Sequence, residues 1–127
     1  MNEINELKAV LLLEKKLWTS DQEQYNNIIS EIIDILNRIV SHNPSSCSAL
    51  INLGAIYSNL GDYTKAQVLL EKAQTLNSQD RNLYLNLAYV SIYMNKSKRV
   101  YSRYFEIAKT KIAGEYTFEA YFDPLAH

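Results

Sequence analysis

The side chains best suited to catalysis are few in this chain of 127 residues, and they do not form a catalytic group. His42 and Cys47 lie close together in the sequence, and a histidine beside a cysteine can generate a nucleophilic thiolate. Pro44 interrupts the segment between them, and no third residue is placed to orient the histidine. The sequence also lacks a glycine-rich phosphate loop and a cluster of metal ligands. We therefore predict no enzymatic activity, no cofactor and no metal site.

Two asparagines offer a different chemistry, because a carboxamide both donates and accepts hydrogen bonds. Asn52 lies in the segment Leu-Ile-Asn-Leu-Gly-Ala-Ile-Tyr, and Asn86 lies in the similar segment Tyr-Leu-Asn-Leu-Ala-Tyr-Val-Ser further along the chain. An asparagine so placed can clamp the backbone of an extended peptide, or it can bind its own helix or a neighbouring loop. Both alternatives stay open. Self-similarity at this fixed spacing predicts a repeat architecture.

Residues 47–80 resemble one tetratricopeptide repeat over its full length. The family's positions in the first helix of a repeat are filled by Leu50, Leu53, Gly54 and Tyr57, and those in the second helix by Ala66, Leu70 and Ala73. One departure is Ser78, where the family prefers proline. Residues 81–114 keep the pattern of the first helix. In the second helix they have Val100 and Ile107 where the family has alanine, so they resemble a degenerate copy.

The small residues of the first copy have a physical purpose. Gly54, Ala66 and Ala73 allow two antiparallel helices to approach closely. A glycine inside a helix costs about 1 kcal/mol relative to alanine, so a helical Gly54 requires a packing reason. The sequence therefore predicts a tight helical hairpin over 47–76.

The predicted fold class is all-α, a superhelix of helix-turn-helix repeats with about six helices in a single domain over residues 1–127. The helices are expected near 3–18, 21–41, 46–60, 63–76, 80–94 and 97–113. The domain divides into an N-terminal helical pair (1–45), the clear repeat (47–80), the degenerate repeat (81–114) and a tail (115–127). Helix 21–41 is apolar around much of its girth, so it is expected to be buried in the protein or by a partner.

The tail is too apolar to be free in water. We leave two positions open for it: over the last helix, or in the groove of a neighbouring molecule, where it would drive self-association. Its apolar residues are Tyr116, Phe118, Tyr121, Phe122 and Leu125.

The resemblance also implies a concave groove lined by the first helix of each repeat. Its positions fall on Ser48, Ile51, Asn52, Ala55, Ser58 and Asn59, and then on Asn82, Leu85, Asn86, Tyr89, Ile92 and Tyr93. Of these, we predict partner binding by Ile51, Asn52, Ala55, Asn82, Leu85, Asn86, Tyr89, Ile92 and Tyr93. Core packing is the alternative for the apolar members. The family's carboxylate-binding version needs basic residues where this chain has Ile51, Asn82 and Asn86. The expected ligand is thus an apolar-anchored extended segment or helix.

Composition narrows the class of partner. The formal net charge of −1 disfavours nucleic acid, although a basic segment, 96–111, leaves a regulator with nucleic-acid contact as the least favoured binding hypothesis. A single cysteine gives no internal disulfide, and the segment from Met1 to Trp18 lacks the pattern of a signal peptide or a membrane span. We therefore expect a cytoplasmic protein with a protein or peptide partner.

Two hypotheses lead. The first is a cytoplasmic chaperone that shields an aggregation-prone partner, since the layout resembles the type III secretion chaperones of the tetratricopeptide class. The second is a scaffold or assembly subunit of a larger complex, which would use helix 21–41 and the tail as permanent interfaces. Either segment could also support a homo-oligomer.

Overall fold

A computed structural model describes residues 2–126, and this part of the chain folds into six α-helices. They are α1 (Glu3–Leu17), α2 (Gln22–His42), α3 (Cys47–Asn59), α4 (Tyr63–Thr75), α5 (Arg81–Tyr93) and α6 (Lys98–Ala108). A single 3-10 turn, Pro124–Ala126, lies near the end of the tail. The predicted all-α fold is confirmed, and α1 to α5 begin and end within one residue of the expected bounds.

Polar side chains define where most of the helices begin. Each accepts a hydrogen bond from a backbone N–H of the first turn, which otherwise has no partner inside the helix. At α2 the cap is reciprocal, because the side chain of Gln24 also accepts from the backbone N–H of Asp21. The capping residues are Asn2, Asp21, Ser46, Asp62 and Asp80.

The turns that end α3, α4 and α5 each contain one residue with a left-handed backbone. Gly61 has φ of 83°, and Asn77 and Asn95 have φ of 61° and 57°. Asparagine adopts this conformation more easily than most residues with a side chain. Asn77 therefore ends α4 without a proline at position 78, and Asn95 replaces a glycine in the turn after α5.

The helices pack in chain order, each against the next, and α3 also contacts α5. This second contact places α3 and α5 side by side on one surface of the superhelix. One apolar cluster lies among α1, α2 and α3, and a second lies among α3, α4, α5 and α6. The surface formed by α3 and α5 spans both clusters, and it carries the candidate site.

The tight hairpin predicted from Gly54 is present. A Cβ atom at this position would lie 2.6 Å from Cγ and Cδ2 of Leu70 on α4. Real Cβ atoms do not approach other carbons so closely, so with alanine here either the buried Leu70 side chain or the helix separation would have to change. Ala66 and Ala73 are fully buried on the facing side of α4.

The last helix is shorter than predicted. We expected α6 to continue to about residue 113, but it ends at Ala108. After two further turns the chain runs beside the start of α5, where the N–H of Arg81 donates to the carbonyl of Ile112 over 3.0 Å. This departure from the helix directs the tail back across the molecule.

The tail takes neither of the positions left open above: it lies in the concave groove of its own molecule. Helix α2, expected to be largely buried, has one fully buried face, and its other apolar side chains are half-buried. No helix within residues 2–126 has both the length and the apolar character needed to cross a membrane.

Candidate functional site

The groove is formed by α3 and α5, and residues 116–122 of the tail occupy it. Asn52, in the middle of α3, is fully buried and binds the tail backbone with both ends of its carboxamide. Its Nδ2 donates to the carbonyl of Tyr116 over 2.8 Å, and its Oδ1 accepts from the N–H of Phe118 over 3.2 Å. Asn52 thus takes the place that a neighbouring strand would take beside an extended chain.

Asn86 repeats this arrangement on α5. Its Nδ2 donates to the carbonyl of Phe118 over 3.2 Å, and its Oδ1 accepts from the N–H of Ala120 over 2.7 Å. Asn86 is also fully buried, so water does not compete for its carboxamide. Both asparagines clamp the backbone of the chain's own tail, an arrangement that combines the two alternatives of the sequence analysis, and their binding of a partner peptide stays a prediction.

Three further polar residues hold the two ends of the occupied segment. At one end, Nδ2 of Asn82 donates to the hydroxyl of Thr117 over 3.0 Å. At the other, Oδ1 of Asn59 accepts from the N–H of Tyr121 over 2.7 Å. The third residue, Asp80, was not predicted as part of the site.

Asp80 caps α5 through its Oδ1, which accepts from the N–H of Asn82 over 2.9 Å. The same carboxylate accepts from the N–H of Gly114 over 2.9 Å and from the hydroxyl of Thr117 over 2.7 Å. A Cβ at Gly114 would overlap the carboxylate of Asp80, so a larger residue here would force that side chain out of its present position. The sequence signal that could have identified this contact is an acidic residue directly before α5, Asp80, which precedes Gly114 by one repeat length.

Aromatic side chains bind the far end of the tail. The rings of Tyr89 and Phe122 are stacked, with centroids 4.7 Å apart and planes at 6°, and Tyr93 meets Phe122 edge-on at 5.9 Å. The hydroxyl of Tyr89 also donates to Oε1 of Glu119 over 2.8 Å. Burial, and then the hydrogen bond and charge of Glu119, raise the pKa of Tyr89. This phenol therefore remains a hydrogen-bond donor at neutral pH.

The tail contributes its own side chains to the core. Phe118 and Ala120 are 8% and 5% exposed, and both belong to the apolar cluster of α1, α2 and α3. Tyr121 lies over Trp18, at the end of α1, with ring centroids 5.9 Å apart. Trp18 is the only tryptophan in the chain, so its fluorescence can report the position of the tail.

The apolar residues assigned to the groove floor divide into two groups. Ile51 and Ala55 are fully buried between helices, where core packing accounts for them. Leu85 and Ile92 are half-buried. Leu85 lines an open pocket of about 460 Å³ at the outer edge of α5, and Phe105 and Lys109 of α6 also line it. Binding of a partner by any of the nine predicted residues remains a prediction.

The possible Cys–His pair has no catalytic arrangement. Nδ1 of His42 lies 2.9 Å from the carbonyl of Arg38 in its own helix. Burial, and then the charge of Asp80, raise the pKa of Cys47, which disfavours the thiolate. Among residues 2–126, no three His, Cys, Asp or Glu side chains are grouped so as to hold a metal ion.

Comparison with known proteins supports the presence of a tetratricopeptide repeat in this chain. Residues 48–80, which cover α4 and all but the first residue of α3, match the family model described as tetratricopeptide repeat. Neither a curated protein nor a solved structure matches the chain.

Proposed function

Because this chain carries a tetratricopeptide repeat, and such repeats mediate protein–protein interaction, we propose that it binds an extended segment of a partner protein in the groove between α3 and α5. The observation that supports this function is the paired clamp of Asn52 and Asn86, which holds a backbone without reading its side chains. A groove that already binds an extended chain has the chemistry to bind another.

The finer proposal is a cytoplasmic chaperone. An extended, partly apolar segment is the part of an unassembled protein that aggregates most readily, and burial in this groove would protect it. Secretion chaperones of this repeat class are the functional analogy that the layout suggests. The scaffold alternative has less support, because the tail is bound within its own molecule and α2 buries its main apolar face on its neighbours.

A pull-down from the source cell tests the proposal. We expect the wild-type chain to retain a partner in a stoichiometric amount, and the double variant Asn86→Ala, Tyr89→Ala to lose it. Asn37→Ala, on the exposed face of α2, is the matched control and should retain the partner. Retention of the same partner by the double variant would contradict binding in the groove.

A further inference from the structure

On the basis of the function proposed above, we propose that the partner segment displaces the tail and carries the same five-residue pattern as the tail from Phe118 to Phe122. In order, the five positions of this pattern are an aromatic residue, an acidic residue, a small residue, any residue and a second aromatic residue. The tail is the ligand that the groove is observed to bind. Its contacts therefore define which side chains the groove accepts at each position.

The backbone contacts fix the register. Asn52 binds the N–H of Phe118 and Asn86 binds its carbonyl, so both polar backbone groups of the same residue are held. From one asparagine to the next, the bound groups advance by two residues. Side chains of an extended chain repeat their direction every two residues, so each repeat meets the same face of the ligand.

The first and third positions of the pattern are set by burial. Phe118 lies in the cluster of α1, α2 and α3 with 8% of its surface exposed, and a polar residue there would lose this burial. Ala120 is 5% exposed, and its N–H is held by Asn86. A larger side chain at this position would have to displace its neighbours.

The second and fifth positions are set by Tyr89. Its hydroxyl donates to the carboxylate of Glu119, and its ring stacks on Phe122. One tyrosine thus selects both an acid and an aromatic residue three positions later. The fourth position is the least restricted, because Tyr121 is 55% exposed and its ring contact with Trp18 joins two exposed side chains.

The contacts of the tail also allow exchange. Residues 116–121 are held through side chains of α3 and α5, and Leu125, close to the chain end, is 96% exposed. Opening can therefore begin beyond Phe122, and it is complete only when Phe118 and Ala120 also leave the apolar cluster. A tethered tail competes at a high effective concentration, so the apparent affinity for a free segment is the intrinsic affinity multiplied by the fraction of molecules whose groove is open.

A labelled peptide with the sequence of residues 114–125 tests the proposal on the full chain. We expect the tail-weakened variant Phe118→Ser, Phe122→Ala to bind this peptide at least about tenfold more tightly than the wild type. Replacing the first aromatic residue of the peptide's pattern by serine should weaken binding by at least about 30-fold. Equal binding of the serine peptide or of a scrambled peptide would overturn the proposal.

Two control variants distinguish loss of binding caused by misfolding from loss of binding that contradicts the proposal. Leu125→Ala changes an exposed side chain of the tail and should bind the peptide as the wild type does. Tyr89→Phe should remove the preference for an acid over glutamine in the peptide, while helical circular dichroism stays unchanged. If Tyr89→Phe leaves that preference intact, the assignment of the second position is wrong.

The outcomes also separate this inference from the proposed function. A natural partner that depends on Asn86 but is not displaced by the peptide overturns the inferred pattern and leaves the function standing. If the peptide binds as expected but binding of the natural partner does not depend on Asn86, the proposed function is contradicted and the inferred pattern stands. If the wild-type chain forms dimers that the peptide dissociates, the occupant is a second copy of this chain, and a separate partner is overturned.

Discussion

Asn52 and Asn86 occupy equivalent positions in successive repeats, and they bind the two polar backbone groups of one residue, the N–H and the carbonyl of Phe118. The periodicity of the helical repeat is thereby matched to the periodicity of an extended strand. The match requires that both carboxamides be buried and similarly oriented, and α3 and α5 provide this by lying side by side. The groove therefore recognises backbone conformation first and side chains second.

Loss of one clamp should release the tail. Asn86→Leu removes two hydrogen bonds and leaves the carbonyl of Phe118 and the N–H of Ala120 unpaired. We expect a loss of about 1–3 kcal/mol in the free energy of unfolding, and faster amide hydrogen exchange at Ala120. Asn37→Leu, on the exposed face of α2, is the control. Unchanged exchange at Ala120 would show that Asn86 does not hold the tail.

Asp80 should matter more than an ordinary helix cap. Asp80→Ala removes the cap of α5 together with the bonds to Gly114 and Thr117. Asp62 caps α4 through one bond to the N–H of Lys65. In urea denaturation, we expect Asp62→Ala to cost about 1 kcal/mol and Asp80→Ala to cost more, about 2–4 kcal/mol. Equal costs for the two variants would remove Asp80 from the site.

The contact between Gly54 and Leu70 should make the stability effects of substitutions at these two positions non-additive. Gly54→Ala places a methyl group where it overlaps the Leu70 side chain, and we expect a loss of about 1–3 kcal/mol. Leu70→Ala alone leaves a cavity and should cost about 2–5 kcal/mol. In the double variant the new methyl occupies part of that cavity, so its cost should be less than the sum. Additive costs, measured by thermal or urea unfolding, would contradict the tight hairpin.

Tyr89 should make the folded state sensitive to alkali. Its pKa is raised above the ordinary value of 10.0, so the folded protein keeps the proton longer than the unfolded chain does. The stability due to this group is complete below pH 10 and is lost as the pH rises above it. Tyr89→Phe should therefore lose less stability than the wild type between pH 9 and about pH 11. The same loss in both proteins, followed by urea denaturation, would contradict the assigned environment.

The two clamp residues show what the sequence could predict. Asn52 and Asn86 were identifiable because the repeat length is visible in the sequence and because a carboxamide suits a backbone. Ile51 shows the limit: α3 has neighbours on most of its surface, so a residue assigned to the groove face is buried in the core instead.

The path of the tail could not be predicted, because an apolar segment without periodicity suits several surfaces. Its position depends on Asp80 and Gly114, which only the fold brings together. The predicted end of α6 was wrong for the same reason. Residues 109–113 can continue a helix locally, but the contact between Arg81 and Ile112 draws them beside α5.

The central claim is that an incoming extended segment replaces the tail on Asn52 and Asn86. It is tested most directly by amide hydrogen exchange at Phe118 and Ala120 in the wild-type chain, with and without the bound partner segment. We predict that binding removes protection from both amides and changes the fluorescence of Trp18, whose ring contacts that of Tyr121. Protection that persists at both amides in the saturated complex would show that the tail stays in the groove and that the partner binds elsewhere.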